Sequence, residues 1–515
     1  MVLFEKNDNT RKKKNWEKVA NIKFMLYFCR RNNGLRMMRT TKRIFILAIL
    51  WMGMGCGVWA KTLATKSQTT AIDRKKMVVL ADPHVMAPEL LVNKGTAWDT
   101  YLEGQRKLED YSQRLFDDMI ERIKQDIRPG LVLIPGDLTK DGEQVSHQYV
   151  TSKLDELRAM GIRTLVIPGN HDRGANSNAV YYDGANTTPA AVATKEWFAA
   201  QYENYGYGTS SERESTTLTY ACEPLKGLVV IGIDSGTDGI VTGTTLNWVV
   251  KKATAARESG KKVIAMMHHP LIPHFTGVDN FVATSVVVNY ETVRNALADA
   301  GIRVVFTGHF HTSDIAKDWN ADKTKEIYDV NTGSLVSYPC DYREVTLSAD
   351  LSEISITTGH STAIATETAK ERLRDAAENQ IAKRGTAYAL IAPAAAQAFI
   401  FHAEGNENDN EEAANTLTNL VAVANLGKAL LGEAKAQNLL DMANSMLQDK
   451  SQYGTDREDQ TNDLTLTIKL ADLAGDVNGD DVVNVADIVE IIRRQGHQVK
   501  EQEIAAILSI IMKEP

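Results

Sequence analysis

The sequence predicts an α/β protein, and two observations carry that prediction. Between Lys76 and about Gly359, short apolar runs rich in Val and Ile recur, each bounded by Gly, Pro or Asp, as buried strands are. Amphipathic stretches with helical spacing lie between the early runs, for example Tyr111 to Gln125 and Ser152 to Met160. The apolar runs are MVVL, LVLI, TLVI, LVVIGI, VIAMM and VVF. Strands that alternate with helices indicate the α/β class.

The pattern changes near Asp341, where REVTLSADLSEISITTG predicts a strand, a turn and an antiparallel strand that close the main domain. Residues 361–450 are rich in Ala, Leu and Glu and predict a helical segment. A polar stretch within residues 451–474 then indicates a linker, which leads to a small module at 475–515. The main domain is therefore expected at residues 61–360.

Residues 1–60 differ from the rest of the chain. A basic stretch precedes an apolar run from Ile44 that ends on Val58-Trp59-Ala60, which predicts a secretory signal peptide. Met37 or Met38 is a more natural start than Met1, so the residues before them form a long or misassigned extension. The alternative is a membrane anchor, but about 17 apolar residues is short for a span. We expect export to the periplasm, cell surface or medium of a bacterium, with no stable membrane span after cleavage.

The charge of the mature chain argues against one class of partner. Residues 1–60 hold 13 of the 58 Lys and Arg and 3 of the 66 Asp and Glu, so 45 basic residues remain against 63 acidic ones, a net charge near −18. An acidic chain repels nucleic-acid polymers, which are therefore unlikely partners. Cys222 and Cys340 also remain, either as a disulfide or as two free thiols.

Polar side chains directly follow five of the predicted strands. Ligands of open α/β sheets bind beyond the carboxyl ends of the strands, so these side chains are expected to converge. The residues that can ligate a metal are Asp82, His84, Asp137, Asn170, His268, His309 and His311. Such a mixture of His, Asp and Asn suits Mn, Zn or Fe, and seven ligands exceed the need of one ion. The sequence thus predicts two divalent transition-metal ions, for which Asp137 is the natural bridge.

These strand ends resemble the calcineurin-like metallophosphoesterases, which carry the blocks D-x-H, GD, GNHD, HHP and GHxH in the same order. The resemblance spans roughly Lys76 to Asp341. It implies a fold with two sheets in an αββα sandwich. It also implies which ligands bind each of the two ions. Asp82, His84 and His311 would bind one ion. Asn170, His268 and His309 would bind the other, with Asp137 between the two ions.

The resemblance also implies catalytic residues. His171 would be the histidine that contacts the phosphoryl oxygens or the leaving group, and Asp172 would orient its ring. His268 is preferred to His269 as a ligand because the family pattern has its histidine two residues before Pro270. His147 and His274 have no such support, and we expect them to lie at the surface or around the ligands. Arg173 directly follows GNHD and either contacts a substrate phosphate or is a solvated loop arginine, and we expect the latter.

The function that this resemblance implies is hydrolysis of small phosphodiesters or phosphomonoesters by a hydroxide that bridges the two ions. Bacterial enzymes labelled cyclic-nucleotide phosphodiesterases are similar in GDLTKDGE (residues 136–143), in the long insert between Asp82 and Asp137, and in the HHP and GHFH blocks. Hydrolysis of phosphodiesters or phosphomonoesters in general ranks above that one substrate, with diesters favoured. Lys140 stands where purple acid phosphatases carry a tyrosine, which argues against the iron site of that branch. The alternatives are a non-catalytic metal-binding scaffold and a nuclease, and the acidic charge disfavours the nuclease.

The sequence GDVNGDDVVNVAD begins the C-terminal module with the spacing of a calcium loop. The oxygen donors at positions 1, 3, 5, 7, 9 and 12 would be Asp476, Asn478, Asp480, the Val482 carbonyl, Asn484 and Asp487. The loop and the helix after it resemble a dockerin repeat, which implies one calcium ion and a protein partner that contacts Ile488, Val489 and Ile492. Asp481 departs from the usual Gly, and the second repeat is degenerate. The alternative is an acidic turn before a helix.

Overall fold

The structure is a computed structural model that describes residues 71–174, 178–275, 285–405, 463–470 and 501–512, with isolated residues between 415 and 492. The predicted signal peptide and all six residues of the predicted calcium loop lie outside the described residues. Within the part that is described, no helix has both the length and the apolar character needed to cross a membrane.

A six-stranded sheet forms one layer of the main domain. Its strands, in spatial order, are β16 (Thr465–Lys469), β15 (Glu353–His360), β14 (Asp341–Leu347), β1 (Asp73–Val79), β3 (Pro129–Pro135) and β4 (Arg163–Ile167). β1, β3 and β4 are parallel, whereas β14, β15 and β16 add to the edge in antiparallel pairs. The antiparallel pair predicted after Asp341 is confirmed.

A seven-stranded sheet forms the second layer. Its strands, in spatial order, are β12 (Asp314–Trp319), β13 (Glu326–Asn331), β11 (Val304–Thr307), β10 (Lys262–Met267), β9 (Leu228–Ile233), β8 (Tyr220–Leu225) and β7 (Glu212–Arg213). The four central strands, β13, β11, β10 and β9, are parallel. A separate three-stranded sheet contains β2 (Leu91–Asn93), β5 (Val180–Asp183) and β6 (Asn186–Pro189).

The helices of the described residues pack mainly on the outer faces of the sheets. They are α1 (Thr96–Leu102), α2 (Ser112–Arg122), α3 (Gln144–Ala159), α4 (Lys195–Gln201), α5 (Gly243–Glu258), α6 (Tyr290–Asp299), α7 (Thr366–Ala382), α8 (Thr386–Glu404) and α9 (Glu501–Ile511). α3 begins eight residues before the stretch that helical spacing indicated, directly after GDLTKDGE. α7 and α8 lie within the predicted helical segment 361–450.

Two apolar clusters explain the layering. One cluster contains buried residues of both sheets, such as Leu133 of β3 and Met266 of β10, and extends to Phe116 of α2. The other joins the outer face of the second sheet to α5 and α6 through residues such as Val249 and Leu297. Burial of β-branched and aliphatic side chains on both faces makes the central strands apolar throughout. The predicted α/β fold, a two-sheet αββα sandwich, is confirmed.

Two observations concern residues that the sequence left open or misassigned. Cys222 and Cys340 are both buried free thiols, so the structure favours the second alternative. Residues 451–474 were expected to be a linker, but Thr465–Lys469 pair with β15 along its length. Every second residue of this strand is apolar, as in a strand with one buried face, and Ile468 and Leu470 are buried. The alternating residues are Leu464, Leu466, Ile468 and Leu470. The polar stretch that precedes them obscured that short period-two signal.

Buried polar groups anchor the start of β16. Asp463 accepts a hydrogen bond from the backbone N–H of Ile315 at 2.6 Å, and its carbonyl accepts one from the guanidinium of Arg343. Arg343 is fully buried and also donates to the carbonyl of Asn331 at 2.8 Å. Because an unpaired guanidinium would be costly to bury, these contacts make residue 463 part of the main domain.

We expect Ile468→Ala to lower the free energy of unfolding by about 2–5 kcal/mol, since Ile468 is 1% exposed and its loss leaves a cavity. Thr465→Ala, at an exposed position of the same strand, should change it by less than about 0.5 kcal/mol. Urea unfolding followed by tryptophan fluorescence measures both values. Equal unfolding midpoints for the two variants would mean that this segment is a linker after all.

Candidate metal centre

The carboxyl ends of five strands meet at one edge of the sandwich and form two groups of metal-ligating side chains. Asp82 and His84 follow β1, Asp137 follows β3, and His311 follows β11. The donor atoms of these four residues all lie within 4.8 Å of one another. The donor atoms of Asp137, His268 and His309 also lie within 4.8 Å of one another. The structure therefore contains a candidate metal-binding cluster with Asp137 common to both groups.

Distances place the Asp137 carboxylate between the groups. Its Oδ2 lies 3.5 Å from Nε2 of His84 and 3.4 Å from Nε2 of His268. Asn170, which follows β4, completes the second group, because its Oδ1 lies 2.9 Å from Nε2 of His268 and 3.0 Å from Nδ1 of His309. All seven predicted ligands thus come together, in the two sets that the resemblance implied. Their individual roles as ligands stay predictions.

The backbone at this edge adopts conformations that L-residues rarely use. Positive φ angles occur at Asp82 (47°), His84 (40°), Asp137 (48°), His309 (72°) and His311 (64°). Non-glycine residues in this region carry conformational strain, which is tolerated where a site requires it. The strain at five neighbouring ligand candidates indicates that the loops are shaped to aim these side chains at common points.

Close backbone approach explains two of the glycines in the motifs. A Cβ added at Gly169 would lie 2.1 Å from Oδ1 of Asp137, and one added at Gly308 would lie 2.2 Å from Oδ2 of Asp82. Such distances are far below van der Waals contact. The glycines of GNHD and GHFH are therefore required because the adjacent loops touch the ligand carboxylates.

The outer nitrogens of two imidazoles are held by hydrogen-bond partners. Nδ1 of His268 lies 3.0 Å from the carbonyl oxygen of Pro135, and Nδ1 of His311 lies 3.0 Å from Oγ of Ser337. A ligating histidine commonly donates its second N–H in this way, which leaves the other nitrogen free to bind metal. In both residues Nε2 faces the cluster, so the hydrogen bonds fit metal binding.

Burial also suits these groups to a cation. Burial lowers the pKa of His84, His309 and His311 well below the usual value, so the imidazoles are neutral, the form that binds metals. Burial, partly opposed by His268, raises the pKa of Asp82 to about 8. Although burial opposes it, His268 holds the pKa of Asp137 well below its usual value. Against the effect of burial, Asp137 and Asp82 raise the pKa of His268 to about 9. Two buried carboxylates among four imidazoles are a donor set that divalent cations stabilise.

The ring of His171 lies beside the cluster and is held by Asp141. Its Nδ1 lies 3.0 Å from Oδ1 of Asp141 and 2.9 Å from the carbonyl oxygen of Lys140, while its backbone N–H donates to Oδ1 of Asp137 at 2.8 Å. The sequence assigned the orienting role to Asp172, and that assignment is wrong. Asp172 accepts hydrogen bonds from the backbone of Leu138, Thr139 and Gly169, because its side chain points into the loops rather than toward the ring.

A buried ion pair supports Asp141. Nζ of Lys140 lies 2.5 Å from Oδ2 of Asp141 and 3.3 Å from Oε1 of Glu143, and the ammonium sits over the ring of Tyr101. Burial opposes ionisation of Asp141, but the hydrogen bond from His171 and the charge of Lys140 hold its pKa at about 2. The carboxylate that faces His171 is therefore ionised and can accept a hydrogen bond from Nδ1 of the ring.

Sequence reasoning missed three residues of this site. Asp141 belongs to GDLTKDGE, but the pattern does not distinguish it from the other acidic residues of that stretch. Arg106 and Lys107 line the recess over the cluster together with Asp137, His171 and His309, but no motif marks them. They reach the site through a loop of the long segment after His84, whose path only the folded chain determines.

Other residues singled out from the sequence lie away from solvent. His147 contacts the hydroxyl of Tyr202 and the carbonyl of Asp172, and His274 lies between Asp314 and Asp329. Both are fully buried, so the surface alternative is wrong for each. Arg173 was expected to be solvated but pairs with Asp234 at 2.6 Å. His269 points away from the cluster and contacts Oγ of Ser235 at 2.8 Å, so His268 is the histidine of this pair that faces Asp137.

Solved structures with related folds give only weak overall similarity. A dimetal phosphatase from Danio rerio is 13% identical, and the match covers 56% of this chain and 97% of that chain with a TM-score of 0.38. The sulfate thiohydrolase of Thermus thermophilus is 13% identical, and the match covers 59% of this chain and 60% of that chain with a TM-score of 0.27. The phosphopantetheinyl hydrolase of Mycobacterium tuberculosis is 9% identical, and the match covers 50% of this chain and 89% of that chain with a TM-score of 0.24. No curated protein matches the chain.

The family models give a specific match. The model described as calcineurin-like phosphoesterase matches residues 75–313, which include all seven ligand candidates and His171. Proteins of this superfamily use a dimetal centre, in agreement with the two groups of side chains around Asp137. Residues 75–313 are therefore similar to the calcineurin-like phosphoesterases, in the part of the chain that holds both groups of side chains.

Proposed function

We propose that this protein hydrolyses small phosphodiesters and phosphomonoesters with a pair of divalent metal ions, and that diesters are the preferred substrates. The observation that carries the proposal is the position of the Asp137 carboxylate, within 3.5 Å of an imidazole from each group of ligands. The preference for diesters comes from the sequence resemblance at GDLTKDGE and is the finer part of the proposal.

The residues present fit two ions. Asp82, His84 and His311 would hold one, Asn170, His268 and His309 the other, and Asp137 would contact both. The donor set suits Mn, Zn or Fe. Such a pair, when bound, supplies a nucleophile at neutral pH and stabilises negative charge on the reacting phosphoryl group.

The chain itself supplies a proton donor and a positive charge. His171 is partly exposed to the recess, and Asp141 and the carbonyl of Lys140 hold its Nδ1, so the ring is oriented to donate a hydrogen bond or a proton to an oxygen of the substrate. Arg106 lines the same recess and carries a charge of the sign that a phosphoester requires. Asp172 contributes indirectly, because it joins the loops that carry Asp137 and Asn170.

The first experiment compares hydrolysis of bis-p-nitrophenyl phosphate and p-nitrophenyl phosphate by protein that begins at Lys61. The protein is stripped of metal and then reloaded with Mn, Zn or Fe. We expect turnover only after reloading, with a higher kcat/KM for the diester. Asp137→Asn should abolish turnover and lower the bound metal measured by elemental analysis, because one carboxylate contacts both groups.

Each result has a distinct meaning. A preference for the monoester would contradict the assignment as a diesterase and leave the hydrolase assignment intact. Bound metal without turnover would favour the scaffold alternative. An unchanged metal content in Asp137→Asn would show that Asp137 does not bridge.

His171→Ala should retain both metals and lose kcat/KM by about 10²–10⁴, the range for a group that transfers a proton. Asp141→Asn should lose about 10–100-fold, because the ring keeps a partner but loses the carboxylate. The loss should appear in kcat, with KM changed by less than about threefold, because the ring acts on the reacting group rather than holding the substrate. Both effects are measured by steady-state kinetics.

The matched control is Asp238→Asn, which removes an exposed carboxylate outside the recess and should change neither kcat nor KM. A full-rate His171→Ala variant would remove this residue from the mechanism. A loss for Asp141→Asn that lies in KM rather than in kcat would contradict its role in positioning His171.

We propose further that the protein is exported and that its C-terminal module binds one calcium ion through Asp476, Asn478, Asp480, Val482, Asn484 and Asp487. The support is the signal-peptide pattern and the spacing of oxygen donors in the sequence. Val489 and Ile492, in helical conformation after the loop, are 57% and 48% exposed. Exposed apolar residues of this kind suit contact with a protein partner.

The test is a pull-down from exported bacterial proteins with the full mature chain, in calcium and in chelator. We expect an N-terminus near Lys61 in the exported fraction and a partner that is retained only with calcium. Asp476→Ala should abolish retention, because the first position of the loop supplies a ligand. Retention that is the same with and without calcium, or an N-terminus at Met1, would contradict the respective part of the proposal.

A further inference from the structure

An apolar pocket adjoins the metal cluster. Its cavity volume is about 110 Å³. Its walls come from two parts of the chain. Phe275 and Phe310 belong to the phosphoesterase domain, and Leu373, Ala377, Ile381 and Phe399 belong to α7 and α8. These two helices begin beyond residue 313, so the part of the chain that matches the family builds only one side of this pocket.

The apolar pocket is continuous with the recess over the cluster. Arg106, His311 and Gln380 line both. His311 is a ligand candidate, whereas Gln380 belongs to α7. A molecule whose phosphoryl group lies against the cluster therefore extends along Arg106 into the apolar pocket.

Arg106 stands at the junction of the pocket and the recess, where the charge of Asp82 acts on it without a direct ion pair. Among the described residues, it has neither an ion-pair partner nor a hydrogen-bond partner, in contrast to Lys107, whose Nζ lies 3.0 Å from Glu109. An unpaired guanidinium at the mouth of a recess is suited to a phosphoryl oxygen, which it can bind through two N–H groups.

Specific contacts hold the two helices over the pocket. Arg372 of α7 pairs with Asp110 at 3.1 Å, and Lys370 pairs with Glu404 of α8 at 2.9 Å. Glu404 also accepts a hydrogen bond from the hydroxyl of Tyr338 at 2.6 Å. Because both helices are tied to the phosphoesterase domain on either side of the pocket, its walls are formed before a ligand binds.

We propose that α7 and α8 determine substrate choice, and that the substrate is an amphiphilic phosphoester whose apolar organic group lies in the pocket formed by Phe275, Phe310, Leu373, Ala377, Ile381 and Phe399. Its phosphoryl group contacts Arg106 and the metal cluster. This inference rests on the proposed function in one respect, because it places the phosphoryl group at the metal cluster. An apolar group of a few carbons gains about fourfold in affinity for each buried methylene.

Binding of alkylphosphonates tests the pocket without turnover. Calorimetry with the metal-loaded mature protein compares methylphosphonate and butylphosphonate, which differ only in apolar length. We expect at least tenfold tighter binding of butylphosphonate. Ala377→Trp, which fills the pocket, and Leu373→Asn, which makes its wall polar, should each reduce that ratio below about threefold. Glu371→Trp places the same ring at an exposed position of α7 and should keep the ratio.

The outcomes separate this inference from the proposed function. Equal affinities for the two phosphonates, with hydrolysis intact, would overturn the pocket and leave the hydrolase assignment standing. A chain-length preference that Ala377→Trp or Leu373→Asn removes, in protein that hydrolyses nothing, would support the pocket and overturn the hydrolase assignment. Failure of both phosphonates to bind would overturn the pocket. Circular dichroism shows whether each variant is folded, and a preference that persists in both folded variants would also contradict the inference.

Discussion

The crowding of two buried carboxylates and four imidazoles at the edge of the sandwich determines much of the surrounding structure. Asp137 contacts imidazoles from both groups, and His84 and His311 approach each other within 3.1 Å. Such crowding requires positive φ angles at Asp82 and Asp137 and glycines where loops touch the carboxylates. Asp172 joins the loops from β3 and β4 through backbone hydrogen bonds, so the strained segments support one another.

Buried charge extends outward from this edge in an ordered chain. His171 contacts Asp141, Asp141 contacts Lys140, and Lys140 contacts Glu143 at the start of α3. Each charged group is paired because isolated charges are costly to bury. This series of contacts links the position of His171, the candidate proton donor, to the packing of α3. This connection explains why GDLTKDGE carries acidic and basic residues although most of them are buried.

α7, α8 and β16, which follow the phosphoesterase match, pack on the main domain. Arg372 of α7 pairs with Asp110, Glu404 of α8 accepts a hydrogen bond from Tyr338, and β16 adds to the edge of the first sheet next to β15. A sheet edge with unpaired N–H and C=O groups is stabilised by such an added strand. The same segment therefore completes the sheet and covers one side of the site, which couples the stability of the fold to the shape of the pocket.

Local sequence signals determined the fold class, the positions of the central strands and the seven ligand candidates. Apolar runs followed by Gly, Asp, Asn or His are visible without tertiary information, because strand period and strand-end polarity are local properties. Asp141, Arg106 and the pocket beneath α7 and α8 depended on contacts between segments far apart in the chain. Only the direction of the side chains in the folded loops shows that Asp141, rather than Asp172, orients the ring of His171. Such directions follow from packing, which no local pattern in the sequence encodes.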